Sequence, residues 1–282
     1  MKNILVTGGV GFIGTNLITD LIKLGYNVTS LDDYSAGLKT NEIKGVQYVN
    51  LDIESIDKID TDIDICFHLA AKSRVQPSFK DPKEYFRVNV QGTMKVMEWA
   101  KKNNVKVIYA GSSSKHHNPS DSPYAMYKYL GEEVCKLYKK AYDINVEVAR
   151  FYNVYGPNES LDEEHGNVIG IWRSKVKKGK PLTIVGDGNQ RRDFTHVFDI
   201  VNGLIKIAMS NKVHRDAWEL GTGINYSVNE LFSMFNKKFN TESIFIPDQP
   251  GNYKLTLREN DDMLKDLDWK PEDRLEDHID NL

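Results

Sequence analysis

The first half of the chain alternates between short apolar runs and longer amphipathic stretches. Ile4 to Thr7 has the pattern of a short buried strand, and Gly11 to Leu24 has helical periodicity that ends at Gly25. A second strand follows at Asn27 to Leu31. The alternation continues with predicted strands at 46–48, 63–68, 105–110 and 146–151 and predicted helices at 86–102 and 124–142. It predicts an α/β fold, a doubly wound parallel sheet that binds ligands at the carboxyl ends of its strands.

The regular alternation of predicted strands and helices ends at Gly156-Pro157. A polar stretch follows, and then helices are predicted near 168–178, 198–209 and 228–239 with one short strand at 182–185. We interpret residues 1–156 as a Rossmann domain that carries the catalytic residues. Residues 157–282 are interpreted as a smaller lobe, partly interleaved with that domain.

The turn between the first strand and the first helix is rich in glycine. It reads TGGVGFIG at positions 7–14, so Gly8, Gly11 and Gly14 stand where the backbone must approach a pyrophosphate at the helix N-terminus. A tight turn without a ligand would also collect glycines. Asp32, however, ends the second predicted strand, where a carboxylate accepts hydrogen bonds from ribose hydroxyls and repels a 2′-phosphate. The pattern therefore favours a dinucleotide site that binds NAD rather than NADP.

A second group of residues has the chemistry of an acid/base site. Tyr124 and Lys128 are four residues apart on a predicted helix and therefore share one face. A phenol titrates near pH ~10, and a nearby ammonium lowers that pKa. Ser112 follows a predicted strand and is our choice for the hydroxyl that binds the same substrate oxygen. We expect at least one of its neighbours, Ser113 and Ser114, to lie in a solvated turn.

Composition narrows the range of functions. A formal net charge of -3 and a pI near 6.2 provide no long-range attraction for nucleic acid or anionic membranes. Cys66 and Cys135 are the only cysteines, which is typical of a reducing cytosol. We find no signal peptide or membrane-spanning run and expect a cytoplasmic protein. His116 and His117 are adjacent without a third ligand nearby, so we predict no metal.

Together the motifs resemble the extended short-chain dehydrogenase/reductases, the NAD-dependent nucleotide-sugar epimerase/dehydratase family that includes UDP-glucose 4-epimerase. They occur in the family's order and cover nearly the whole chain. They are TGGVGFIG at 7–14, HLAA at 68–71, NVQGT at 89–93, YAMYK at 124–128, RFYNVYGP at 150–157, and GDG at 186–188 leading to RDF at 192–194.

The motifs and the resemblance imply roles for individual residues. Tyr124 would be the acid/base, Lys128 would bind the nicotinamide ribose, and Ser112 would complete the triad and contact substrate. Asn153 would contact the sugar nucleotide and Arg192 its diphosphate, whereas Arg191 is interpreted as solvated. The residues expected to bind the cofactor are Gly8, Gly11, Phe12, Ile13, Gly14, Asp32, Asp52, Ile53, Ala70, Lys72, Tyr124 and Lys128.

The resemblance leaves several reactions open. Dehydratases of the family carry Asp-Glu after the catalytic Ser or Thr, and decarboxylases carry a nearby Glu, but this chain has Ser113 and Ser114 there. We therefore prefer C4 epimerisation of a nucleotide sugar, with UDP-hexose as the substrate. The alternatives are a nucleotide-sugar dehydratase, a ketosugar reductase and a non-catalytic NAD-responsive protein. The resemblance also implies a homodimer in which the helices 86–102 and 124–142 pair across a two-fold axis. At one position the chain departs from the family's pattern: Gln249 replaces an arginine that would contact the diphosphate.

Overall fold

The computed structural model describes residues 2–59, 62–163 and 165–282. In these ranges the strands are β1 Asn3–Thr7, β2 Asn27–Asp32, β3 Gln47–Asn50, β4 Ile65–His68, β5 Lys106–Ser112, β6 Val146–Phe151, β7 Val154–Tyr155, β8 Leu182–Val185, β9 Arg191–Asp193, β10 Thr195–His196, β11 Trp218–Leu220, β12 Asn225–Ser227 and β13 Ser243–Ile246. The α-helices are α1 Phe12–Lys23, α2 Val75–Lys80, α3 Pro82–Phe86, α4 Thr93–Asn103, α5 Pro123–Tyr142, α6 Val168–Lys177, α7 Val197–Met209, α8 Val228–Phe239, α9 Asp262–Asp266 and α10 Leu275–Asp280.

Seven of the described strands form one large parallel sheet with the order β11-β6-β5-β4-β1-β2-β3, and the other six pair in three small two-stranded sheets. β1 lies inside the sheet, where Ile4 pairs with Val28 of β2 on one side and Ile65 of β4 on the other. The order runs outward from β1 in both directions, which confirms the predicted doubly wound α/β fold. β1 and β4 are buried along almost their whole length because helices cover both faces of the sheet.

The core is divided by the sheet into two layers. Successive residues of a strand point to opposite faces, so Ile4 and Val6 pack with α1 and α7, whereas Leu5 packs with α4 and α5. A third cluster, which includes Trp172, Leu182 and Phe235, forms the interior of the smaller lobe. Among the described residues, no helix has both the length and the apolar character needed to span a membrane.

The lobe and the sheet share elements that the hydrophobic pattern does not reveal. β11 joins the main sheet beside β6, with Trp218 opposite Ala149, and β13 pairs in parallel with β8. Three residues are too few for a recognisable alternation, so β11 was not predicted. The helix α7 also packs on the main sheet. The division at residue 156 and the interleaving of the two parts stay predictions.

The predicted helix at 86–102 is a composite. α3 runs through a π-helical turn at Arg87–Gly92 into α4. Inside this turn, the Asn89 side chain accepts from the backbone N–H of Lys72 at 2.8 Å and donates to its carbonyl at 2.9 Å. Such turns are frequent at functional sites. Here the turn holds the loop after β4, which lies at the carboxyl edge of the sheet.

Candidate active site

A cavity of about 610 Å³ opens at the carboxyl edge of the sheet and extends under the lobe. It is lined by residues from both parts of the chain. All but one of the predicted site residues line it, namely Gly8, Gly11, Phe12, Ile13, Gly14, Asp32, Ile53, Ala70, Lys72, Ser112, Tyr124, Lys128, Asn153 and Arg192. The exception is Asp52, which accepts a hydrogen bond from the Glu54 N–H and forms an ion pair with Arg87 at 2.8 Å. Its contact with the cofactor stays a prediction.

The glycine turn has the shape of a phosphate cradle. Gly8 has a φ of +74°, and a Cβ there would lie 2.9 Å from the backbone nitrogen of Ala70. A Cβ on Gly11 would meet one atom within 4 Å, the Gly8 carbonyl oxygen at 3.2 Å, so its missing side chain leaves room on the cavity side. Gly11 begins α1 without a side-chain cap, and the first N–H groups of a helix attract anions. The turn therefore fits the pyrophosphate of a dinucleotide.

The Asp32 carboxylate is held rigidly at the end of β2. It accepts hydrogen bonds from the backbone N–H groups of Val10 at 3.0 Å and Tyr34 at 2.9 Å. Burial raises the pKa of Asp32, and these two hydrogen bonds oppose the rise. The carboxylate thus forms a fixed hydrogen-bond acceptor on the cavity wall, next to the glycine turn.

Helix α5 and strand β5 bring the acid/base candidates together. α5 begins at Pro123 with Ser122 as its N-cap, which places Tyr124 in the first turn. The Tyr124 hydroxyl donates to Ser112 Oγ at 3.3 Å, and Ser114 Oγ donates to the same oxygen at 2.9 Å. Ser113 and Ser114 are both buried, so the expectation that one of them lies in a solvated turn was wrong.

The electrostatics of Tyr124 differ from the expectation of a lowered pKa. Burial raises the pKa of the Tyr124 phenol above its usual value, while the hydrogen bond with Ser112 and the charge of Arg74 oppose the rise. Burial also lowers the pKa of Lys128 to about 8. The Lys128 ammonium donates to the Ala110 carbonyl at 2.6 Å rather than to the phenol. Burial outweighs the neighbouring charges, and this could not be deduced from the four-residue spacing.

Asn153 and Arg192 lie on the lobe side of the cavity. The Asn153 amide nitrogen donates to the Asp193 carbonyl at 3.1 Å and to Thr256 Oγ1 at 2.8 Å, which leaves its carbonyl oxygen for a ligand. The Arg192 guanidinium donates to Asn252 Oδ1 at 2.7 Å, and burial lowers its pKa to about 10. Among the described residues it has no carboxylate within ion-pair distance. Arg192 is therefore available to an anion in the cavity.

Three residues that lie close in sequence to the predicted site residues each contact another side chain of the protein. Arg191 forms an ion pair with Glu230 at 2.9 Å near the surface. His116 Nε2 lies 3.0 Å from Glu219 Oε1, whereas the His117 ring stacks on Tyr253 with 3.9 Å between centroids. The two histidines thus face different groups. In the described part of the chain, no cluster of three or more His, Cys, Asp or Glu side chains is placed to hold a metal ion.

Some residues of the cavity wall were not identified from the sequence. Arg74, Gln190, Tyr253 and Thr256 all line it. Gln190, Tyr253 and Thr256 come from loops and strand ends far along the chain from the catalytic motifs. The one available signal for Arg74 was its position shortly after Lys72, in a loop that follows a buried strand.

Comparisons of sequence and of structure both match this chain to epimerases and related enzymes. The model of the NAD dependent epimerase/dehydratase family matches residues 4–221. A putative UDP-glucose 4-epimerase of Methanocaldococcus jannaschii is 35% identical over 98% of this chain and 95% of its own length. A UDP-N-acetyl-alpha-D-glucosaminuronate decarboxylase of Bacillus cytotoxicus is 31% identical over 82% of this chain and 78% of that protein. The crystal structure of a UDP-glucuronic acid 4-epimerase from Bacillus cereus, with UDP-glucuronic acid and NAD, superposes with a TM-score of 0.91 at 28% identity, covering 98% of this chain and 96% of that one.

Proposed function

Because the chain belongs to the NAD dependent epimerase/dehydratase family, we propose that it is a nucleotide-sugar epimerase that inverts C4 of a UDP-hexose. The family assignment confirms the prediction of NAD as cofactor. The observation that carries the proposal is the contact between Tyr124 and Ser112, 3.3 Å apart in the cavity that also contains the glycine turn.

The geometry supports a simple division of roles. Tyr124 accepts the proton of the sugar 4-hydroxyl as C4 is oxidised to a ketone, and Ser112 holds that oxygen by a hydrogen bond. Bound NAD+ supplies a reversible hydride acceptor. Reduction from the other face of the sugar, with the proton returned by Tyr124, inverts C4. The glycine turn, Asp32 and Lys128 would hold the cofactor, while Asn153 and Arg192 would hold the sugar nucleotide.

The acidic residues of the cavity favour epimerisation over dehydration. Among the described residues that line the cavity, the carboxylates are Asp32 and Asp33, and both follow β2 beside the glycine turn. Next to Tyr124 there are instead the hydroxyls of Ser112, Ser113 and Ser114. A hydroxyl is a poor substitute for a carboxylate in removing a C5 proton, so the dehydratase alternative is disfavoured.

A panel of nucleotide sugars, incubated with the purified protein and NAD, would test the proposal. We expect the C4 epimer as product, with no net formation of NADH and no loss of water or carbon dioxide, as resolved by chromatography and NMR. Release of water would support a dehydratase, and steady consumption of added NADH would support a ketosugar reductase. NAD binding without conversion of any sugar would support the NAD-responsive protein and overturn the proposal.

Asp32 provides a direct test of the cofactor site. Replacing Asp32 by alanine removes a charged acceptor for the ribose hydroxyls, and we expect NAD affinity to fall about 10- to 100-fold. Asp57→Asn is the control, because Asp57 is an exposed aspartate that does not line the cavity. Calorimetric titration with NAD measures both variants. Unchanged affinity in Asp32→Ala would remove Asp32 from the proposed site.

The predicted homodimer also remains a proposal. Met97 is fully buried in the core, but Met94 on α4 is 45% exposed and Leu137 on α5 is 57% exposed. These apolar side chains lie on the two helices that the resemblance assigns to the dimer. We expect a mass of two chains by sedimentation equilibrium, and a single-chain mass at micromolar concentration would contradict it.

A further inference from the structure

Arg74 is a cationic residue of the cavity for which neither the motifs nor the proposed chemistry provide a role. It is the N-cap residue of α2, and its side chain is partly buried in the cavity wall. Its Nε donates to the carbonyl of His165 at 2.9 Å. Within the described residues the structure shows no other hydrogen bond or ion pair of this guanidinium. Among the described residues, its two terminal nitrogens have no partner, and we take them as the donors for a ligand.

The acidic side chains that the structure describes near Arg74, Glu159 and Asp162, have other partners. Glu159 forms an ion pair with Arg173 at 2.9 Å and accepts a hydrogen bond from Asn167. Asp162 accepts hydrogen bonds from Ser160 and His165. Burial meanwhile lowers the pKa of Arg74. A guanidinium in the wall of a cavity, with no carboxylate paired to it among the described residues, is suited to bind an anionic group of a ligand.

Arg74 is held near Tyr124, the proposed acid/base. Ser78 of α2 donates to the Val75 carbonyl at 2.6 Å and accepts from the Tyr124 backbone N–H at 3.1 Å. This pair of bonds holds the start of α2, and with it Arg74, against the first turn of α5. The charge of Arg74 consequently acts on the Tyr124 phenol, whereas Arg192 is a neighbour of Tyr253. The two cations thus serve different groups of the ligand.

We propose that Arg74 binds the carboxylate of a uronic acid, and that the preferred substrate is a UDP-hexuronate rather than a neutral UDP-hexose. In a hexuronate the carboxylate is attached to C5, the carbon next to the C4 carbinol that Tyr124 deprotonates. A guanidinium matches the two oxygens of a carboxylate with parallel hydrogen bonds. The inference rests on the proposed epimerase function and replaces the neutral UDP-hexose by the corresponding uronate as the preferred substrate.

The test compares two sugars that differ only in the oxidation state of C6, UDP-glucuronate and UDP-glucose. We expect the wild-type enzyme to have a kcat/KM at least about 10-fold higher for UDP-glucuronate. Arg74→Gln should lower kcat/KM for UDP-glucuronate about 10- to 100-fold, mainly by raising KM, and change that for UDP-glucose less than about 3-fold. Arg74→Lys, which keeps the charge, should recover part of the loss. Arg215→Gln removes an exposed arginine and serves as the control.

Two outcomes would overturn the inference. One is a wild-type preference for UDP-glucose. The other is an equal loss on both substrates in Arg74→Gln, which would mean that Arg74 acts on Tyr124 and not on the sugar. If neither sugar is turned over, the epimerase proposal fails. Calorimetric binding of both nucleotide sugars to the NAD-loaded protein and to Arg74→Gln then still decides whether Arg74 recognises the carboxylate.

Discussion

Replacing Tyr124 by phenylalanine should lower kcat about 10³-fold, while NAD binding and the melting temperature stay close to those of the wild type. The phenol oxygen is the group next to Ser112 Oγ that can exchange a proton with the sugar. Phenylalanine keeps the ring and its packing and removes only that oxygen. Turnover by product analysis and NAD affinity by calorimetry together separate loss of chemistry from loss of structure.

Tyr127→Phe is the matched control for this prediction. Tyr127 is on the same helix, but its ring packs edge-on against Phe86 and does not line the cavity. We expect its removal to leave kcat within about 3-fold of wild type, as for a change outside the reacting groups. Activity retained in Tyr124→Phe would show that another group moves the proton, and Tyr124 would lose its proposed role.

Replacing Arg150 by methionine should have the largest effect on stability, about 3–5 kcal/mol in the free energy of unfolding. Arg150 is 2% exposed, and its guanidinium pairs with Glu132 at 2.8 Å and with Glu219 at 2.8 Å. Both carboxylates are also buried. Methionine would leave them as buried charges without their main partner. Chemical denaturation followed by circular dichroism measures the loss.

The same substitution should also impair catalysis, because Glu132 is linked to the active site. Its Oε1 accepts from the Ser112 N–H at 3.4 Å. Lys23→Met is the control for removal of a charge pair: Lys23 pairs with Asp20 at 2.9 Å on the exposed surface of α1, and such pairs contribute roughly 0–1 kcal/mol. A loss of less than about 1 kcal/mol in Arg150→Met would show that the freed carboxylates find water or other donors.

The sequence predicted those parts of the site that depend on local spacing. The glycine turn is a contiguous segment between a strand and a helix, and Tyr124 and Lys128 are one helical turn apart, so both patterns are readable without knowledge of the fold. Ser112 was predicted because it follows β5, and the structure brings it to Tyr124. Arg74 escaped notice because its proximity to Tyr124 is created by packing of α2 against α5. The effect of burial on the pKa of Tyr124 could not be deduced from the spacing, because burial is a property of the folded chain.

The order of apolar and polar residues by itself determined the doubly wound sheet, the glycine turn and the edge of the sheet at which the cavity opens, because periodicity and glycine placement act over a few residues. Only the tertiary structure decided that β11 joins the sheet beside β6 and that residues of the lobe line the cavity that contains Tyr124. The tertiary structure also placed the Arg74 side chain in the wall of the cavity. These features depend on contacts between segments far apart in the chain, whose free energy comes from burial and pairing that no local pattern encodes.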